Sequence, residues 1–307
     1  MLAFIVRRLL TIIPTLFLVA TFVFVLVRLA PGGPFDTERE VPAEVKAALD
    51  AKFRLSDPIS VQYKDWLVGA VTTGSLGPSM KYHNRTVEEL IGMTLPVSME
   101  LGLWAMLVAV AIGAPLGVLG AVRQNTWKDS LAMAAAMLGI SVPRFVLAPL
   151  LVLVFALKLY WLPVARWESW RHLVLPVVCA ALPMAAYIAR LARAGMLEVI
   201  RSDFVRTARA KGLSERVIIT RHALKGGMLP VVSFLGPGFA GLLVGSLVVE
   251  KIFDIPGMGR YLVESVLNKD YNLTAGIALV YGGLLMVSNA AVDVAYKFLD
   301  PRVELDR

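Results

Sequence analysis

The 307-residue chain has one cysteine, Cys179, so no intramolecular disulfide can form. Cys179 falls inside an apolar run, where a thiol packs as a small apolar side chain. Histidine is scarce as well: His83, His172 and His222 lie in three separate segments, and no pair has the spacing at which one helix grips a metal. No metal site is expected. A Gly-Lys dipeptide occurs nowhere, which removes the Gly-x-x-x-x-Gly-Lys-[Ser/Thr] loop that cradles nucleotide phosphates. Neither a nucleophile-and-base constellation nor a low-complexity tract nor an internal repeat stands out. These absences lead us to expect a chain that is not an enzyme, with no catalytic residues and no bound cofactor.

Apolar sequence is what the chain has in excess. Hydrophobic residues make up 57% of it, more than a soluble core of this length requires. They are gathered into runs at 9–27, 101–122, 131–157, 173–189, 226–249 and 271–292. Each is close to the ~20 residues that carry a helix across ~30 Å of hydrocarbon, where every backbone amide must bond within its own segment. An all-α membrane protein with six transmembrane helices is expected. Arg7 and Arg8 give the first run the look of a secretory signal. Its apolar part is longer than a signal core of ~7–15 residues, and Pro-Gly-Gly-Pro follows it, so an uncleaved first helix is the better reading.

Basic residues near span ends stay in the cytoplasm. Arg7 and Arg8 place the N-terminus there, and six crossings return the C-terminus to the same side. The loop 190–225 then lies inside with nine basic and three acidic residues, most of the chain's formal +8. The loop 250–270 lies outside with three basic and four acidic residues; Lys158, Arg166 and Arg171 in another outer loop depart from the rule. We therefore divide the chain into an N-terminal span (1–29), an extracytoplasmic segment (30–97), a core of five spans (98–299) with a cytoplasmic loop at 190–228, and a tail (300–307). The 30–97 segment reads as a small helical unit. Its first helix, 42–53, has Val45, Leu49 and Phe53 on one side; a second follows at 63–71, then a turn at 74–78.

Small residues recur in the spans. Gly113-x-x-x-Gly117 and Gly241-x-x-x-Gly245 suit close helix contact, while Pro115, Pro149, Pro176, Pro183 and Pro237 permit kinks. Three polar residues lie deep. Arg144, directly after Pro143, is either a pathway or substrate-carboxylate contact, or part of an ion pair or helix break. Asp293, with Asn289 one turn before it, either lines a pathway or pairs structurally, for instance with Lys297.

The densest charge is in "DFVRTARAKGLSERVIITRHALKGGMLP", residues 203–230. Ser202 is placed to cap a helix at 203–211, and Gly212 suits the left-handed position that ends it. Ser214 would cap a second helix, with Leu213, Val217 and Leu224 along one side and Gly226-Gly227 at its end. Two short helices joined by a sharp turn make a lever between the fourth and fifth spans. Charge alone leaves open a solvated basic loop lying on anionic lipid. Nucleic-acid binding is disfavoured, because both ends of the segment are tethered to spans.

"RTARAKG" followed by "RHALKGGMLP" resembles the cytoplasmic coupling loop of permease subunits of ATP-binding-cassette (ABC) importers, in the version found in peptide and nickel transporters. Arg206, Thr207 and Ala208 stand at that loop's Glu-Ala-Ala positions and Gly212 at its glycine. "RLAPGGPF", "SDPISVQY", "GSLGPS", "VVEKIFDIPGMGRYLVESVLNKDY" and "NAAVDVAYKFLDPR" carry the resemblance over nearly the whole chain, and "PFDTER" and "GPSMKY" look closest to the oligopeptide branch. The resemblance implies the type I ABC importer permease fold in a bacterial inner membrane, forming half of a pathway for ATP-driven oligopeptide uptake. It implies as partners a second homologous permease subunit, two ATP-binding subunits that use ATP and Mg, an extracytoplasmic peptide-binding protein and membrane lipid. Its coupling residues would be Asp203, Arg206, Thr207, Ala208, Lys211, Gly212 and Leu213. Glu250, Pro256, Gly257, Gly259 and Asp270 would receive the binding protein. Competing readings are an ion-driven secondary carrier, a passive structural subunit, and an ABC permease for dipeptides or nickel.

Overall fold

The computed structural model describes residues 2–35 and 42–299; the expected tail at 300–307 and part of "PFDTER" lie outside the described residues. Side chains are described at 10–35, at Pro42 and at 44–294, so the Asp293–Lys297 pairing also falls outside. The helices, in order, are α1 (Leu2–Leu29), α2 (Ala43–Lys52), α3 (Ile59–Thr72), α4 (Val87–Val122), α5 (Trp127–Ser141), α6 (Arg144–Leu151), α7 (Trp170–Ile200), α8 (Asp203–Ala210), α9 (Glu215–Val217), α10 (Leu224–Gly227), α11 (Leu229–Gly245), α12 (Leu247–Ile252), α13 (Met258–Leu267) and α14 (Tyr271–Leu299). Wider π-type turns fill Val152–Lys158 and Ile218–Ala223. Apart from one bridge between Pro78 and Thr86, the described residues contain no β-structure.

Among the described residues, five helical segments are long and apolar enough to cross a membrane: Leu10–Leu29, Val87–Val122, Trp170–Ile200, Leu229–Ile252 (α11 with α12) and Tyr271–Val294. The sixth crossing is a broken pair, Trp127–Ser141 and Arg144–Lys158, bent by 102°. The run 131–157 is therefore not the single rod expected from its composition. Pro143 is the cause: it has no N–H to donate, and its ring excludes the helical region for the residue before it. Val142 accordingly takes φ −87° and ψ 115°. Pro176 and Pro183, by contrast, sit inside an unbroken α7.

The chain forms two compact units, 1–98 with 256–286 and 99–255 with 287–307. In the first, Phe24 of α1 is fully buried between Tyr63 and Trp66 of α3, with ring centroids 5.1 and 5.4 Å away. Trp66 Nε1 donates to Leu76 O (3.2 Å), tying α3 to a turn in which Gly74 and Gly77 have φ of 67° and 90°. α4 begins at Val87, well before its apolar run. Thr86 Oγ1 accepts from Glu89 N (3.3 Å) and Glu89 Oε2 from Thr86 N (3.4 Å), a capping box.

In the second unit α4, α5 and α7 meet through small side chains, with Ala136, Ala186 and Ala189 buried together. Gly113 and Gly117 lie against the carbonyls of Ala185 and Ala189, so the first small-residue pair makes the close contact its spacing suggests. The second does not: nothing approaches Gly241, and a side chain at Gly245 would meet the Arg144 guanidinium. Gly117→Val should therefore cost at least the ~1–3 kcal/mol of an overpacked core. Gly241→Ala should be near neutral. Melting of the detergent-solubilised protein checks both, and equal melting temperatures would refute the assigned packing.

Candidate functional site

α7 runs past its apolar stretch to Ile200, and the lever begins at Asp203, three residues later. Ser202 occupies the N-cap position of α8, but its hydroxyl donates to Val199 O (2.6 Å) and makes no capping bond. Ser214 likewise makes none to α9. What holds the lever is packing: Val205 and Ala208 of α8 are buried on Ile218 and Val199. Gly212 has φ 78° and donates to Arg209 O (2.9 Å), closing α8 in the left-handed conformation its position requires.

Across that turn Arg209 clasps Glu215 with a fork, Nε to Oε1 at 2.7 Å and Nη2 to Oε2 at 3.3 Å. The hydrogen bonds from Arg209 hold the Glu215 carboxyl below its usual range, and the same bonds raise the guanidinium. For a lowered carboxylate, the contribution to the turn is present above the ordinary glutamate range and fades as pH falls through the lowered value.

Gly226-Gly227 ends the second half of the lever as expected: α10 stops at Gly227, Met228 makes the turn and α11 begins at Leu229. The glycines also serve contact, since a side chain at Gly227 would strike Met196 and one at Gly226 would crowd Val199 at 3.3 Å. Across the wide turn Ile218–Ala223 the buried line is Ile218, Ala223 and Gly227, and Leu213, which precedes the helix, is exposed. Ala208 faces inward too. The outward face of α8 and its turn carries Asp203, Phe204, Arg206, Thr207, Lys211 and Leu213. Phe204, 53% exposed, escaped the sequence reading because an apolar residue on a basic helix reads as an inward anchor.

Two proposed docking carboxylates prove to be interior. Glu250 is fully buried and accepts from Ser246 Oγ (2.7 Å). Asp270, also fully buried, accepts from Ser79 Oγ, from Met80 N (3.1 Å) and Lys81 N (3.2 Å), and from Leu273 N (3.1 Å) at the start of α14. Both carboxylates are acceptors for local donors, and neither presents a surface to a partner. Gly257 and Gly259 are buried as well, and Pro256 is exposed. The 250–270 stretch also holds a helix, α13, that its reading as a loop missed. Tyr82 OH donates to Glu264 of α13 (2.9 Å), and burial with that acceptor raises the phenol's pKa.

Arg144 stands at the start of α6, after the break, and Nη1 donates to Gly245 O (2.6 Å) at the end of α11. A cation on the free carbonyls of a helix C-terminus is favourable, so the helix-break reading gains support and the recorded partner is a backbone carbonyl. Asn289 and Asp293 lie together on α14; Asn289 Oδ1 is buried with no hydrogen-bond partner. A further pair was not anticipated: Arg193 of α7 grips Asp129 of α5 with two 2.7 Å bonds. Sequence separation of 64 residues left no spacing signal for it.

The solved structures with this fold include the MetNI methionine ABC transporter in an inward-facing conformation (16% identity, TM-score 0.59, 69% of this chain and 96% of that one). An amino acid ABC transporter with histidines matches similarly (17%, TM-score 0.54, 69% and 94%). The chain belongs to the family described as binding-protein-dependent transport system inner membrane component, which matches residues 113–305; its N-terminal companion matches 1–81. It is 48% identical over 305 residues to the oligopeptide transport system permease protein OppB of Salmonella typhimurium, covering 99% of each chain. OppB of Escherichia coli K12 is 46% identical over the same shares, and the dipeptide transport system permease protein DppB of Bacillus subtilis is 42% identical over 99% of this chain and 98% of its own. The chain is thus a multi-pass inner-membrane permease subunit of a bacterial ABC importer, which displaces the secondary-carrier reading.

Proposed function

We propose that this subunit forms half of a pathway for oligopeptides delivered by an extracytoplasmic binding protein, with a second, homologous permease subunit completing it. The observation that carries the substrate class is the ordering of its relatives: 48% identity to an oligopeptide permease, 42% to a dipeptide permease and 38% to the glutathione permease GsiC of Escherichia coli, all near full length. Two ATP-binding subunits would use ATP and Mg, and one would seat the lever 203–227. Both termini and the lever would be cytoplasmic, and the unit built from α2 and α3 extracytoplasmic. Closure of the ATPase pair would then shift α7 and α11, the helices joined by the lever. The bound states would bias that equilibrium through their differing contacts.

A pull-down of the tagged chain from its native membrane tests the proposal. Wild type should bring down two kinds of neighbour, a homologous permease and ATP-binding subunits. Gly212→Val should lose ATPase while keeping the permease, because a β-branched residue at φ 78° is strained even though the space there is open. Gly212→Asn, which tolerates that region, should retain both. A wild-type chain recovered without any ATP-binding subunit would defeat the proposed coupling, and uptake of dipeptides in preference to longer peptides would defeat the substrate class.

A further inference from the structure

Half of the chain's six tryptophans, Trp161, Trp167 and Trp170, fall within ten residues. They lie on the short connection 159–169 between the turn Val152–Lys158 and the start of α7, or at its edge. Both flanking elements belong to membrane crossings, so this connection stays at the level where the spans end. It is also fixed in shape. Trp161 N and Leu162 N donate to Phe155 O (2.9 and 3.3 Å), Arg171 Nη2 donates to Trp161 O (2.8 Å), and Arg166 N donates to Phe253 O (2.9 Å). Tyr160 and Arg166 hold left-handed backbone conformations with φ of 54° and 87°.

A loop so pinned turns Tyr160, Trp161 and Trp170 outward, with Trp167 half-buried between them. Tyr160 is 83% exposed, Trp170 73% and Trp161 59%, with Leu159 and Val164 exposed beside them. That much clustered apolar surface is unfavourable in water. Indole and phenol rings with a polar edge are instead favoured at the headgroup level of a bilayer. Lys158, Arg166 and Arg171 accompany them, against the single acid Glu168. These are the cations that break the charge rule for an outer loop. Arg166 Nη1 donates to Glu168 Oε1 (3.2 Å), and phosphates of anionic lipid would neutralise the +2 that this pair leaves on the connection.

We propose that the 158–171 connection is an interfacial anchor. Its aromatic rings would sit in the headgroup region of the adjoining leaflet and its three cations on anionic phospholipid, which would fix the end of α7 opposite the lever. The assembled transporter, reconstituted in phosphatidylcholine vesicles with or without phosphatidylglycerol, tests this through its fluorescence. Subtracting the emission of a Trp161→Phe/Trp167→Phe/Trp170→Phe variant isolates the loop's signal and leaves Trp66 in its packed site. That signal should be quenched about twofold more by lipids brominated near the glycerol than by lipids brominated at the chain end. Phosphatidylglycerol should strengthen the quenching, and Lys158→Gln/Arg166→Gln should remove that increment. Quenching by aqueous acrylamide without quenching by either lipid would overturn the anchor. So would protection that appears only when the extracytoplasmic binding protein is added, which would make the loop a protein-docking surface. An unchanged phosphatidylglycerol response in the charge variant would overturn the anionic contact.

Discussion

Phe204→Asp is expected to abolish ATP-driven uptake by the assembled transporter while leaving the chain folded and paired with its permease partner. Phe204 projects from α8 with 53% of its surface exposed, among the exposed Asp203, Arg206 and Thr207. Val205 and Ala208 face the Ile218 contact and hold the helix in place, so the lever's fold does not depend on the Phe204 ring. A large aromatic side chain on an otherwise polar, basic surface is the type of group that anchors a protein interface. Losing such an anchor commonly costs ~2 kcal/mol or more, roughly a 30-fold loss of affinity. Aspartate adds a desolvation cost in the proposed ATPase cleft. Val205→Asp supplies the contrast: a charge forced under the lever should reduce the amount of folded chain itself. Transport, ATPase co-purification and melting temperature measured together separate the two. Full uptake by Phe204→Asp would remove this residue from the coupling contact.

Much of this architecture was legible because span length and charge placement are imposed by the membrane. The lever was legible too, since Gly212 fixes its turn and the spacing of its charges sets it apart. What stayed hidden depends on distant partners. Asp270 read as a loop charge, yet Ser79, 191 residues away, donates to it inside the fold; Glu250 is interior too, with a donor only four residues before it, Ser246. The early start of α4 had a local signal that went unused, the Thr86-x-x-Glu89 capping box. Pro143 likewise marked the break at Val142, but a long apolar run suggested one rod. Leu213 was misplaced because it precedes the N-cap Ser214 and lies outside the helix, where a period of 3.6 residues does not apply.

The Asp129–Arg193 pair offers the second large effect, because it joins α5 to α7 close to the lever. Asp129 has only 6% of its side chain exposed and Arg193 27%, and two 2.7 Å bonds connect them. Removing one member of a buried pair strands the other charge, which costs ~3–5 kcal/mol when burial is complete. Arg193 keeps some access to water, so Asp129→Leu should destabilise the chain by about 2–3 kcal/mol. Asp129 Oδ2 also accepts from Asn125 N (3.0 Å), at a turn where Asn125 has φ 62°. Asp129→Asn should therefore cost less, since its amide oxygen can keep one of these bonds. Adding Arg193→Leu to Asp129→Leu removes the stranded cation and should recover most of the loss, with about 1 kcal/mol remaining for the Asn125 amide. Thermal unfolding of the wild type, Asp129→Leu, Arg193→Leu and the double variant completes the cycle. If the double variant is no more stable than Asp129→Leu, the pair is not coupled and α5 is held to α7 by the alanine packing alone. If it recovers, the charge pair sets the geometry of α7 just before the lever, and uptake by the double variant should fall even though its stability returns.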